Sequence, residues 1–181
     1  MPERHFQMNI LHNIDYLQTL SHTNLFLDTN VFIGALTQPD LGNFLFKIKS
    51  HDCELLTIPA VLTEFLRGST NLKTYSTRTE FVENLAGIFP TDKLLEQMQD
   101  FTIVMNSTSS EADYTDFLLS ACSYKFKCPI LTENHKHFPL SIFERKQIIT
   151  IDTGKDIRNY GFYQISERKF NKAAESILKQ K

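Results

Sequence analysis

An α/β fold with a mostly parallel central sheet is the class this sequence predicts, and three observations predict it. Short apolar runs, Leu25-Phe26-Leu27, Leu55-Leu56-Thr57-Ile58 and Pro129-Ile130-Leu131-Thr132, have strand length without polar alternation, as strands buried on both faces do. Between them lie segments with apolar residues at helical spacing. Acids also recur where these elements meet: Asp28 closes the first run, Glu64 follows the second and Pro59, and Asp116 lies early in the helical segment before the third. Ligand sites in open α/β sheets lie outside the carboxyl ends of the strands, so acids at such junctions are expected to face a crevice.

The elements follow in order. Phe6, Ile10, Leu11, Ile14 and Leu17 recur at helical spacing, which predicts an amphipathic helix over 3–20, and Ser21 to Asn24 is a short polar link. Helices are expected at about 30–37 and 40–50, the second opening after Pro39-Asp40. Pro59 suits the first position of a helix because no donor is needed there. Residues 71–89 read as helical, and Pro90-Thr91-Asp92 restarts a helix carrying Leu94, Leu95, Met98 and Phe101. Ser107 to Ser110 is a loop. The last strand is expected over Gln147 to Asp152, after which Thr153-Gly154 turns the chain. Ser166 is placed to cap a final helix whose apolar stripe, Phe170, Ala173, Ala174, Ile177 and Leu178, is narrow and more suited to docking on its own body than to binding a partner.

At 181 residues and 41% apolar, the chain fits one domain with short additions and is not composed as a disordered one. Fifteen Phe without Trp signals core volume and no particular function. Cys53, Cys122 and Cys128 are odd in number and lack close pairing, so a disulfide framework is not expected and a reducing cytoplasm is. No apolar run approaches the roughly 18 residues of a membrane span, and the polar N-terminus does not resemble a signal peptide. The net charge of −2 is unevenly spread: residues 1–132 hold nine basic and fifteen acidic side chains, residues 133–181 ten and six. A basic end beside an acidic body suits phosphate contacts near a cation-binding site, and equally suits an ordinary solvated surface.

On the helix that follows the loop, Asp113, Asp116, Ser120 and Ser123 fall on one face at 100° per residue, while Tyr114, Phe117, Ala121 and Cys122 cover much of the rest. Such a stripe is expected to look at solvent or at a site. Glu111 and Asp113 also suit the helix N-terminus as caps and as partners of its dipole.

These motifs together resemble the PIN domain, a family of metal-dependent ribonucleases that includes the VapC-type toxins of bacterial toxin–antitoxin pairs. Asp28-Thr29-Asn30-Val31-Phe32-Ile33 matches the acid after the first strand. Pro59 to Gly68 matches the second acid in a helix after a strand and a Pro, and Asp116-Phe117-Leu118-Leu119-Ser120-Ala121 matches the third. Thr132, Asn134 and Phe138 stand where the family places Thr, Asp or Asn, and Phe. The resemblance spans 24 to about 152. It implies a PIN-like three-layer fold over 24–152, with helical extensions at 1–23 and 153–181. It also implies a Mg²⁺- or Mn²⁺-dependent endoribonuclease acting on an RNA substrate in the cytoplasm. Asp28, Glu64 and Asp116 would hold the ion, with Asp113 at a second metal or outside the first. Thr29, Asn30, Thr132 and Asn134 would orient carboxylates, water or phosphate, although each also suits a turn or a cap. Arg67, Lys125, Lys127, Lys136 and His137 are near enough in sequence to grip phosphates. Family members with Asp at the Asn134 position have a fourth carboxylate; this chain has three acids and so one well-supplied metal position.

The chemistry asks for these residues because cleaving a phosphodiester requires an activated nucleophile and neutralised charge, which a carboxylate-held hard cation provides. The toxin reading implies an antitoxin partner covering the site and allows a homodimer. Alternatives are a housekeeping RNA-processing nuclease and a non-catalytic PIN-like module that binds RNA or protein. A haloacid dehalogenase-like phosphohydrolase is disfavoured because Asn30, not Asp, stands two residues after Asp28. His135-Lys136-His137 is a poor zinc motif without suitably spaced cysteines.

Overall fold

In the computed structural model, which describes residues 20, 23–108, 112–152 and 155–179, strand β1 (Asn24–Leu27) buries Leu25, Phe26 and Leu27 completely. Successive side chains of a strand point to opposite faces, so both faces of the sheet are covered at its centre. The predicted helix before β1, apart from Leu20, and Ser21, His22, Glu111, Thr153 and Gly154 lie outside the described residues.

After β1 come α1 (Thr29–Thr37) and α2 (Pro39–Lys49), then β2 (Glu54–Thr57), α3 (Pro59–Arg67) and α4 (Leu72–Leu85). The short β3 (Gly87–Ile88), α5 (Gln99–Thr108), α6 (Tyr114–Phe126) and β4 (Ile130–Thr132) follow. The chain closes with β5 (Phe143–Asp152), β6 (Ile157–Ile165) and α7 (Glu167–Leu178), and 3-10 turns stand at Leu95–Gln97 and His135–His137. The fold is thus α/β with a six-stranded mixed, mostly parallel sheet of order β3-β2-β1-β4-β6-β5. Its first four strands are parallel, and β6 runs antiparallel to both neighbours.

The order carries the functional consequence. From β1 the chain builds outward to β2 and β3, then returns to lay β4 on the other side of β1. The sheet therefore has its topological switch point between β1 and β4, where the strand order reverses and a crevice opens at the strand ends. Phe26 pairs with Ile130 in the register, and Asp28 N donates to Leu131 O at 3.2 Å, which sets the end of β1 beside the end of β4.

Several sequence expectations are corrected. The helix expected over 71–89 ends at Leu85, because Gly87–Ile88 joins β2 as a parallel edge and Phe89 N donates to Thr57 O at 2.7 Å. The helix expected at Pro90 starts at Gln99, and Lys93 at φ 59° lies in the left-handed region that a helix does not tolerate. Helix α5 continues through Ser107 and Thr108, where a loop was expected. The last strand is four residues longer at its start, and β6, unforeseen, occupies part of the segment taken as a helical extension. β6 lies inside the sheet and is buried from Tyr160 to Tyr163, so it lacks the alternation that marks a half-exposed strand. Gly161 is required there: a Cβ would meet Tyr163 Cε2 at 2.5 Å and His135 Cε1 at 3.3 Å. Ser166 stands at the N-cap of α7 without a side-chain capping bond.

Helix α7 docks on its own body. Phe170 is buried against Phe101 and Tyr124, with ring centroids 5.8 and 4.5 Å away, and Ala173, Ala174 and Ile177 pack beside it. Near the strand ends, the Phe32 and Phe65 rings meet at 5.5 Å and fix α1 against α3. That contact brings the first turn of α1 next to Glu64. No helix among the described residues is long and apolar enough to cross a membrane.

Candidate functional site

Asp28 leaves β1 in extended conformation and caps α1, its Oδ1 accepting from Thr29 N at 2.6 Å. Its Oδ2 accepts from Thr132 Oγ1 at 2.6 Å and from Asn30 Nδ2 at 2.5 Å. Thr132 Oγ1 in turn accepts from Asn30 Nδ2 at 3.1 Å and Asn134 N at 2.9 Å, which uses its one proton and both lone pairs. Asn30 Oδ1 accepts from Glu133 N at 2.8 Å. The switch point is thereby laced shut by side chains from both of its strands. Thr29 donates to the Glu64 carboxyl, and Asn30 and Thr132 donate to that of Asp28.

Glu64 projects from α3 and accepts from Thr29 Oγ1 at 2.8 Å. Asp113 and Asp116 form a reciprocal capping box at the start of α6: Asp116 N donates to Asp113 Oδ1 at 3.0 Å and Asp113 N to Asp116 Oδ2 at 3.3 Å. Asp113 is therefore first of all a helix cap. The polar stripe reaches the site only in this first turn. Ser123 is buried and donates to Cys128 O at 2.7 Å, and Ser120 is buried with no hydrogen-bond partner for its hydroxyl. The stripe was expected to look at solvent or at a site; beyond the first turn it does neither, because Ser120 and Ser123 are buried in the body.

Asp28, Glu64, Asp113 and Asp116 line one cavity of about 220 Å³ together with Thr29, Asn30, Ile33 and Asn134. Burial pushes the Asp28 carboxyl above its ordinary range, against the pull of its three hydrogen bonds, and the nearby Glu64 charge adds to the rise. Asp116 is pushed to about 7, first by burial, then by the charges of Asp28 and Asp113, with His137 opposing. Buried like charges of this kind are what a divalent cation relieves, and an all-oxygen donor set suits a hard ion such as Mg²⁺ or Mn²⁺. As the side chains stand, no three His, Cys, Asp or Glu groups among the described residues are gathered tightly enough to cage an ion. One oxygen of Glu64, Asp113 and Asp116 each accepts a hydrogen bond, and Glu64 and Asp113 line the cavity from exposed positions.

The basic candidates are not gathered here. Arg67 is exposed at the end of α3, and none of the residues lining the cavity is Lys or Arg. Lys125 lies over the Phe126 ring and Lys127 pairs with Glu167 at 2.6 Å, both at the far end of α6 from Asp116. Lys136 is exposed on its 3-10 turn. The two histidines diverge, as alternate residues on a turn do: His135 Nδ1 meets Tyr163 OH at 2.8 Å, whereas His137 Nδ1 contacts Asp116 Oδ2 directly. The link from His137 to Asp116 escapes sequence reasoning, which placed His137 near the site only as a phosphate contact, as does Ile33 on the cavity wall. No protein-family model matches the chain, and no curated protein is significantly similar to it.

Proposed function

We propose that this protein is a PIN-like, Mg²⁺- or Mn²⁺-dependent endoribonuclease and that it serves as the toxin of a toxin–antitoxin pair. The observation that supports the nuclease reading best is the shared cavity of Asp28, Glu64, Asp113 and Asp116 at the β1/β4 switch point, with Asp116 raised to about 7. Asp28, Glu64 and Asp116 would hold the ion. When bound, it supplies an activated water and neutralises phosphate charge. Thr132 and Asn30 hold Asp28 in one orientation, and Thr29 holds Glu64, so the carboxylates meet a ligand preorganised. The toxin assignment rests on the likeness of the motifs alone, and an antitoxin would act by covering this cavity.

The test is cleavage of a mixed RNA pool with magnesium, with manganese and with chelator, by wild type and Asp28→Asn. Loss of about a hundred- to a thousand-fold in the variant is expected, at unchanged melting temperature or above it. Equal cleavage by both proteins would remove Asp28 from the mechanism.

A further inference from the structure

Among the described residues, His137 is in direct contact with the buried carboxylate of Asp116, and the proposed metal chemistry does not use it. Its Nδ1 meets Asp116 Oδ2, and Asn134 Nδ2 lies against the same ring, 2.7 Å from Nδ1 and 3.3 Å from Nε2. Nδ1 is the ring nitrogen nearer to both neighbours, so the Asn134 amide and the Asp116 carboxylate converge on it, and a proton on Nδ1 serves the Asp116 contact. The 3-10 turn is anchored on both sides: Asn134 N donates to Thr132 Oγ1, and Phe138 is fully buried against Phe143 and Tyr163 at centroid distances of 5.3 and 5.7 Å. The imidazole is thus held rigidly, with its side chain about a quarter exposed at 23%.

We propose that His137 is a positioning residue for Asp116, and that Asn134, standing where a fourth carboxylate would be expected, acts through it. The imidazole claims Asp116 Oδ2, which the Asp113 N–H also approaches at 3.3 Å, and thereby leaves Oδ1 as the oxygen for a cation. An outer partner of this kind orients a carboxylate without adding negative charge. The chain Asn134–His137–Asp116 therefore replaces a ligand with a brace. A site so built takes one ion by itself, because the acid beside Asn134, Glu133, is paired with Arg158 at 3.0 Å. This inference rests on the metal-dependent reading above.

The experiment is calorimetric titration of manganese into the full chain, with no RNA present, for wild type, His137→Ala, His137→Gln and Asn134→Ala, alongside melting temperatures without metal. Wild type is expected to bind one ion. His137→Ala should bind it roughly ten- to a hundred-fold more weakly, as loss of an outer-shell partner does. His137→Gln, which keeps an N–H donor, should recover most of that loss, and Asn134→Ala should weaken binding less than His137→Ala. Wild-type binding that His137→Ala leaves unchanged would overturn the brace. Failure of His137→Gln to recover it, together with nitrogen hyperfine coupling to bound manganese in the wild type, would overturn it in favour of direct ligation. A wild type that binds no manganese at all would instead remove the metal-dependent reading itself.

Discussion

Two cavities of this protein differ in a way that separates packing from chemistry. The larger, about 460 Å³, lies beside the docked C-terminal helix, where Phe101, Tyr124 and Phe170 meet Met98 and the rim residues Glu96, Gln99 and Asp100. The smaller, about 220 Å³, lies at the ends of β1 and β4. In the first, the carboxylates stand at a solvated rim around stacked rings. In the second, Asp28 and Asp116 are each only 4% exposed, held by directed hydrogen bonds, and pushed above the ordinary carboxylate range. Size therefore does not follow the burial of charge. A buried carboxylate costs stability unless something compensates it, and its presence at a strand end marks a site more surely than volume does.

The comparison breaks most readily with one substitution in each cavity. Glu64→Gln keeps the acceptor for Thr29 but removes a charge, so cleavage should fall by about a hundred- to a thousand-fold while the melting temperature holds. Phe170→Ala should do the reverse, lowering stability by about 3–5 kcal/mol by denaturant titration while each folded molecule cleaves RNA normally. Should Phe170→Ala abolish cleavage in protein shown to be folded, the two cavities are not independent.

Acidity sharpens the contrast further. Asp116 titrates near 3.8 when unfolded and at about 7 when folded, so between these values the folded state holds the extra proton. Stability from this group is thus fully present at low pH and lost as pH rises toward about 7. Without metal, the melting temperature should fall between about pH 4 and about pH 7 and level off above, and Asp116→Asn should flatten that slope. Magnesium should restore stability at the upper end. An identical slope in the variant would assign the effect to other groups.

The smallest effect concerns the tie between the two helices at the site. Thr29→Val removes the hydroxyl that donates to Glu64 and should cost about 1 kcal/mol of stability, with Thr29→Ser nearly neutral. A loss in Thr29→Ser as large as in Thr29→Val would show that the methyl, not the hydrogen bond, carries the contribution.

What was legible in the sequence follows from local rules. Apolar runs buried on both faces mark β1, β2 and β4. Pro59 marks the start of α3, and Asp28 at the end of its run marks one side of the crevice, because these signals depend on neighbours within a few residues. The β6 strand and the first four residues of β5 were not legible, and β6, inserted between β4 and β5, takes its burial from partners and not from its own pattern. The same holds within the site. Asp113 and Asp116 read alike along one helix face, yet one is an exposed cap and the other a buried carboxylate raised to about 7. Thr132 reaches Asp28 across 104 positions and His137 reaches Asp116 across 21. The sequence by itself determined which acids stand at strand ends. Only the tertiary structure decided which of them are buried, which are braced and by whom, because burial and hydrogen bonding are set by residues distant in the chain that the sheet order brings together.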